Sequence, residues 1–253
     1  MRLRRGDFTN GEPIVQFVLL LQEATRHDAA VPAHIPRGYP SPRSITTRRG
    51  ERVTGITRFA KAGLAVLYAP SMRNGEAREE GSAEDRGNVI LSTVPLLDPT
   101  LIELPLERQR RVAAAAAVEG RTTGGAKWRL QLVNVHLDTA LALAHGGPFA
   151  ARRRQVTALL DALRVSARPG EATVLAGDLN TWRGDGEAAV RMLSAAFPDT
   201  PSADRGPTWR GPLGVRATLD HIFVRGPVSA AHVTRLPGQF GSDHFPLLTI
   251  IRF

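Results

Sequence analysis

Thr173-Val174-Leu175-Ala176-Gly177-Asp178-Leu179-Asn180-Thr181-Trp182 is a short apolar run that ends in glycine and then presents an acid and an amide two positions apart. A β-branched threonine and three apolar residues bounded by a turn residue read as a buried strand. Side chains alternate along an extended chain, so Asp178 and Asn180 are placed to face one cleft at the strand's end. There a carboxylate can orient or deprotonate a water, and an amide can donate to a phosphate oxygen, as attack on a phosphoester requires. Taken alone, Asp-x-Asn is also a common turn cap, so the pair needs company to carry function.

That company appears at three other strand ends. Gly241-Ser242-Asp243-His244-Phe245-Pro246 stands directly before a terminal apolar run, Leu247 to Ile251. Its acid can bind a hard cation while the neighbouring imidazole exchanges protons near neutral pH. Thr218-Leu219-Asp220-His221-Ile222-Phe223-Val224 supplies an acid at a strand start, and Leu132-Val133-Asn134-Val135-His136-Leu137-Asp138 ends a strand in histidine. Burying four such polar groups without purpose is costly, so their convergence on one cleft is the expected arrangement.

The same strand signal recurs at Ile14 to Leu21, Gly63 to Tyr68, Asn88 to Ser92, Val112 to Val118 and Arg129 to His136. The Ala113 to Ala117 run is assigned to strand because Val112 and Val118 bracket it and Gly120 follows. A helix is predicted over Phe149 to Leu163, where Val156, Leu159, Leu160 and Leu163 form an i, i+3, i+4, i+7 stripe and Arg152, Arg153 and Arg154 make the wet face. A second runs from about Gly186 to Ala196, with Val190, Leu193 and Phe197 on one side and Asp185 as its N-cap. Val31 to Thr57 and Ser71 to Gly87 read as long loops. Strands with a few interspersed helices argue for layered α/β architecture.

Composition narrows the chemistry. A chain of 253 residues, 42% hydrophobic and 23% charged, suits one globular domain, expected over 1–253 and as a monomer. No apolar run approaches the roughly 18 residues of a membrane span, and no signal-peptide layout is present, which favours a cytoplasmic location. With no cysteine there are no disulfides, thiolate ligands or cysteine nucleophiles, so a metal must sit on oxygen or imidazole. The net charge of +9 suits a polyanionic partner such as nucleic acid. Only Lys61 and Lys127 are lysines, however, and an arginine-rich exterior also arises from base composition.

The order of motifs resembles the endonuclease/exonuclease/phosphatase superfamily, the group of deoxyribonuclease I. Its elements are an apolar run ending in Gln22-Glu23, Asn134-Val135-His136-Leu137, Gly177-Asp178-Leu179-Asn180, Leu219-Asp220-His221-Ile222-Phe223 and Ser242-Asp243-His244-Phe245-Pro246. Gly87-Asn88-Val89-Ile90-Leu91-Ser92 is similar to another of its strands. The resemblance spans residues 14 to 253. It implies an α+β, four-layered α/β sandwich, with two mixed β-sheets face to face and helices outside. It also implies Mg²⁺ or Mn²⁺ as cofactor, held by Glu23 and Asp243, and hydrolysis of a phosphodiester or phosphomonoester by in-line water attack. Asp178 would activate the water, Asn180 steady a phosphate oxygen, and His244, oriented by Asp220, carry a proton or partner an oxyanion. His136 would stabilise the pentacovalent transition state or protonate the leaving oxygen.

The chain departs from the family at its start. An N-terminal strand bearing an Asn or Asp ligand normally precedes the Gln-Glu strand, and Asn10 lies instead in a turn-like stretch. The chain is therefore expected to be truncated relative to the family. Where abasic-site endonucleases carry an Asn-x-Tyr-x-Pro-like element, Asn134-Val135-His136-Leu137 stands, which points towards nucleases, lipid phosphodiesterases and phosphatases that bear histidine. No long apolar hairpin suggests membrane docking. His221 should face away from Asp220's side of its strand, and His27, His34, His145 and His232 read as surface residues. Trp128 and Trp209 are more often packing residues than stacking platforms. A catalytically silent binding domain on the same fold, or a lipid or inositol phosphoesterase, is the alternative function.

Overall fold

Two sheets account for the apolar runs. In the computed structural model, which describes residues 5–9, 11–26, 34–35, 62–73, 85–139, 146–204 and 206–253, the first sheet contains Val18–Arg26 (β1), His34–Ile35 (β2), Ala65–Arg73 (β3) and Asp85–Ser92 (β4). Its order is β1-β4-β3-β2, antiparallel throughout, with β1 at an edge. The second contains Leu97–Glu103 (β5), Val112–Arg121 (β6), Lys127–His136 (β7), Ala172–Asp178 (β8) and, further along, Asp220–Arg225. Between β8 and that last strand lie the short pair Trp209–Arg210 (β9) and Arg216–Ala217 (β10), which makes Asp220–Arg225 β11. The order is β11-β8-β7-β6-β5, and the β7–β8 pair alone is parallel, which makes this the mixed sheet.

The parallel pair requires a crossover, which the helix Gly147–Ser166 (α1) provides. Its predicted stripe is correct: Val156, Leu159, Leu160 and Leu163 are buried against Ala113, Ala115, Val133, Val135 and Leu175. The helix Ala188–Ala196 (α2) adds Val190 and Leu193 to the same cluster. The other face of the second sheet, with Ala114, Ala116, Leu132 and Val174, meets Ala65, Leu67 and Ile90 of the first. The alanine run thus serves both faces by alternation, and its small side chains let two apolar layers approach closely. This is the α+β sandwich that the motifs imply. Among the described residues, helices cover the second sheet only.

Several expectations need correction. Arg152 is not on a wet face: its side chain is fully buried in an ion pair with Glu187. Glu187, not Asp185, stands at the N-cap of α2, and Gly184–Gly186 is a 3₁₀ turn in front of it. β5 has no counterpart in the predicted strands. The terminal run is two short pieces, Leu247–Leu248 (β14) and Ile251–Arg252 (β15), which pair with Thr234–Arg235 (β13) and Ser229–Ala230 (β12). Of the predicted loops, Ser71–Arg73 continue β3 and Asp85–Gly87 begin β4, while 74–84 lie outside the described residues. Val31 to Thr57 also lies outside them, apart from His34–Ile35, as do His27 and His145.

A candidate phosphoester-hydrolysing centre

Register places the candidate residues side by side. His136, the last residue of β7, is level with Asp178 at the end of β8, and Asp178 is level with Asp220 at the start of β11. Gly177 makes this possible, since a Cβ there would lie 1.7 Å from the carbonyl oxygen of Val135. After Asp178 the chain turns sharply. Its Oδ1 accepts the backbone N–H of Asn180 at 2.8 Å, and Asn180 adopts φ of 51°, a left-handed conformation that asparagine tolerates. The Asn180 side chain then donates to the carbonyl of Leu137 at 2.9 Å, tying the ends of β7 and β8 together.

Two imidazoles converge on one oxygen. His136 Nε2 lies 3.6 Å and His244 Nε2 3.8 Å from Asp178 Oδ2. These separations are too long for direct hydrogen bonds and leave room for a small polar group between them. His244 Nδ1 donates to Asp220 Oδ2 at 2.8 Å, which orients its ring. Burial alone would lower the His244 pKa. The hydrogen bond and charge of Asp220, with Asp178 and Asp243, outweigh it and raise the value to about 9. Burial and the Asp220 carboxylate push Asp178 up to about 7.

His136 is held in the opposite state. Arg111 Nη1 lies 3.0 Å from His136 Nδ1. A guanidinium has only donors, so Nδ1 must accept, and the ring proton resides on Nε2, towards Asp178. Burial first, then the charges of Arg111 and His244, hold His136 well below its usual value, so it is neutral at pH 7. Arg111 is itself buried, which lowers its pKa against the opposing charges of Asp138, Asp178 and Glu23.

Ligand atoms of Asp178, Asp220 and His244 lie within 4.8 Å of one another. Two are carboxylate oxygens, the donors a hard divalent cation prefers. The repulsion that raises the Asp178 pKa is what such a cation would relieve, so the donor set fits one. Glu23 and Asp243, the two expected ligands, stand apart from this group. A bulge between Leu21 and Ala24 gives Glu23 φ of 54°, and its carboxylate meets Arg86 at 3.1 Å. Asp243 Oδ2 accepts the indole N–H of Trp209 at 2.8 Å. Both nonetheless line the same cleft as Asp178, Asp220 and His244, a space of about 1320 Å³.

The sequence profile of the Endonuclease/Exonuclease/phosphatase family matches residues 3–244. The chain belongs to this family. Its members are generally hydrolytic phosphoesterases, and the family is typically dependent on divalent metals. None of the curated proteins compared with the chain matches it. Among solved structures, an endonuclease/exonuclease/phosphatase family protein from Leptotrichia buccalis C-1013-b is similar at a TM-score of 0.61 and 13% identity, over 93% of this chain and 87% of that one. The human Nocturnin catalytic domain with bound sulfate anion gives 0.55 and 17%, over 78% and 75%. Truncated Caenorhabditis elegans TDP2 gives 0.52 and 16%, over 93% and 84%. These likenesses show a shared fold.

Two supporting residues escaped the sequence reading. Arg111 stands directly before the apolar start of β6, and only the order of strands reveals that this end meets His136. Thr208 is buried and its hydroxyl accepts the backbone N–H of both Leu219 and Asp220, while its carbonyl accepts Phe245 N–H at 2.6 Å. It therefore fixes Asp220 and His244 relative to each other. His221 faces elsewhere, as expected: Nε2 lies 3.0 Å from the Thr181 hydroxyl, and the ring stacks with Phe223. His232 is exposed and bonded to Asp204 and Ser202.

Proposed function

We propose that this chain hydrolyses a phosphodiester or phosphomonoester with Mg²⁺ or Mn²⁺, by in-line attack of water on phosphorus. The observation that carries the reading is the convergence of His136, at the end of the strand beside β8, and His244, from the loop before β14, on Asp178, with opposite protonation states imposed by Arg111 and Asp220.

Asp178, whose Oδ2 faces both imidazoles at the end of β8, suits a base that takes a proton from water. The water oxygen forms the new bond to phosphorus as the bond to the leaving oxygen breaks. His244, cationic through Asp220, and His136 Nε2–H, both within 4 Å of Asp178 Oδ2, donate to non-bridging phosphate oxygens, and the leaving oxygen takes its proton from solvent water. Arg111 adds positive charge behind His136 as negative charge develops on the phosphoryl group. Asn180 gives one amide N–H to the Leu137 carbonyl, and the second is the donor that steadies a phosphate oxygen. A divalent ion held by the carboxylates of Asp178 and Asp220 would supply charge neutralisation for the phosphate, with Glu23 and Asp243 in reach of the same cleft and the cationic His244 outside its shell.

The test is product release from bis-p-nitrophenyl phosphate and from plasmid DNA in Mg²⁺ or Mn²⁺. Metal-dependent release that Asp178→Asn and His244→Ala both abolish supports the proposal. A second reading, a silent binding domain, draws support from the Glu23–Arg86 pair, which occupies an expected metal ligand. A folded chain that turns over neither substrate would favour it.

A further inference from the structure

A tryptophan pair joins the segment that carries Asn180 to the one that carries His244, and it has no part in the chemistry above. Trp182 follows Asn180 by two residues on the turn that leaves β8, and 45% of its surface is exposed. Its ring meets that of Trp209 edge to face, with centroids 5.2 Å apart and planes at 80°. Trp209 is locked three ways: its indole N–H bonds Asp243, its backbone bridges His244, and Gly211 lies against its ring, where a Cβ would come within 1.9 Å. Trp182 is thus supported by a rigid neighbour fixed to the loop that carries His244. Arginine follows each tryptophan. The Arg183 guanidinium sits 4.7 Å over Phe149 and the Arg210 guanidinium 6.0 Å from the centre of Phe245.

We propose that Trp182, backed by Trp209, is a stacking subsite for the nucleobase of a nucleotide phosphoester whose phosphate occupies the Asp178 centre. This deepens the phosphoesterase reading and rests on it, for it names the substrate class. A large, partly exposed aromatic face two residues beyond Asn180, in contact with the tryptophan that holds Asp243, matches the sequence-tolerant way in which aromatic side chains hold bases. Arg183 and Arg210, next in sequence to the two tryptophans, add positive charge that suits an anionic ligand, and the net charge of +9 favours the encounter. An acyl chain would gain from the apolar surface but not from the edge-to-face support, which fixes the Trp182 plane.

Binding without turnover separates this proposal from the hydrolysis it rests on. The intact chain is titrated in EDTA with 5′-AMP, with ribose 5-phosphate and with octyl phosphate, following tryptophan fluorescence and calorimetric affinity. AMP is expected to bind about 5- to 150-fold more tightly than ribose 5-phosphate, the range of one stacked base. Trp182→Leu should abolish that preference and Trp182→Phe should keep most of it, with unchanged melting curves showing that both variants fold. Equal affinity for AMP and ribose 5-phosphate overturns the subsite. So does an AMP preference that survives Trp182→Leu, or octyl phosphate binding that depends on Trp182 as strongly as AMP. A chain that binds AMP through Trp182 yet hydrolyses no phosphoester would refute the enzyme and leave the subsite standing.

Discussion

Replacing Arg152 by methionine should destabilise the protein far more than its place on a surface-like arginine run suggests. Arg152 Nε donates to Glu187 Oε2 at 2.9 Å and Nη2 to Oε1 at 3.0 Å, with side chains 0% and 2% exposed. Nη1 reaches the Asp138 carbonyl at 3.4 Å, and Glu187 Oε1 also takes the Arg183 N–H at 3.3 Å. The pair therefore joins α1 to the segments that follow β7 and β8, both of which carry site residues. Removing one partner strands a buried charge, at a cost of about 3–5 kcal/mol. At about 2–4 °C per kcal/mol for a chain of this size, Tm should fall by about 6–20 °C. Arg152→Met with Glu187→Leu removes both charges and should recover most of that loss, because an apolar replacement of a buried pair is often near neutral. Melting curves of the two single variants and the double complete a cycle whose coupling energy isolates the pair. A fall below about 2 °C in Arg152→Met, or purely additive losses, would refute the account of a buried, mutually dependent pair.

Other consequences follow from the site. Arg111→Lys keeps the charge but not the planar fork that holds His136 Nδ1 as an acceptor, so kcat for bis-p-nitrophenyl phosphate should drop about 10²- to 10³-fold in steady-state assays. The folded chain holds the His244 proton more tightly than the unfolded chain, with a pKa of about 9 against an ordinary 6.5. Stability from the His244–Asp220 pair is therefore complete below about pH 6.5 and lost as pH rises through about 9. Metal-free Tm should decline across that window, and His244→Gln should flatten the decline.

Much of this was legible in sequence because the strands that hold the site are buried on both sides. β6, β7 and β8 read as apolar runs, and polar residues stand out at their ends. β5 was illegible for the opposite reason: it is an exposed edge strand, with Asp98 at φ of 47° and a bulge before Thr100, so neither alternation nor apolar content marks it. The terminal run reads as one strand but pairs in two places, and no local signal records that split. Arg152 shows the limit of helical periodicity, which places a residue on a face but cannot see a buried partner arriving from another element. Glu23 shows a second limit: a one-residue bulge in β1 redirects a side chain that strict alternation would aim with its neighbours.

The central claim is that Asp178 and its imidazole partners direct water onto phosphorus. Hydrolysis of bis-p-nitrophenyl phosphate with Mg²⁺ or Mn²⁺, in water enriched in heavy oxygen, tests it most directly. The account predicts one heavy oxygen atom in the p-nitrophenyl phosphate product and none in p-nitrophenol, with turnover lost in Asp178→Asn. Label in p-nitrophenol, or undiminished turnover in Asp178→Asn, would contradict it.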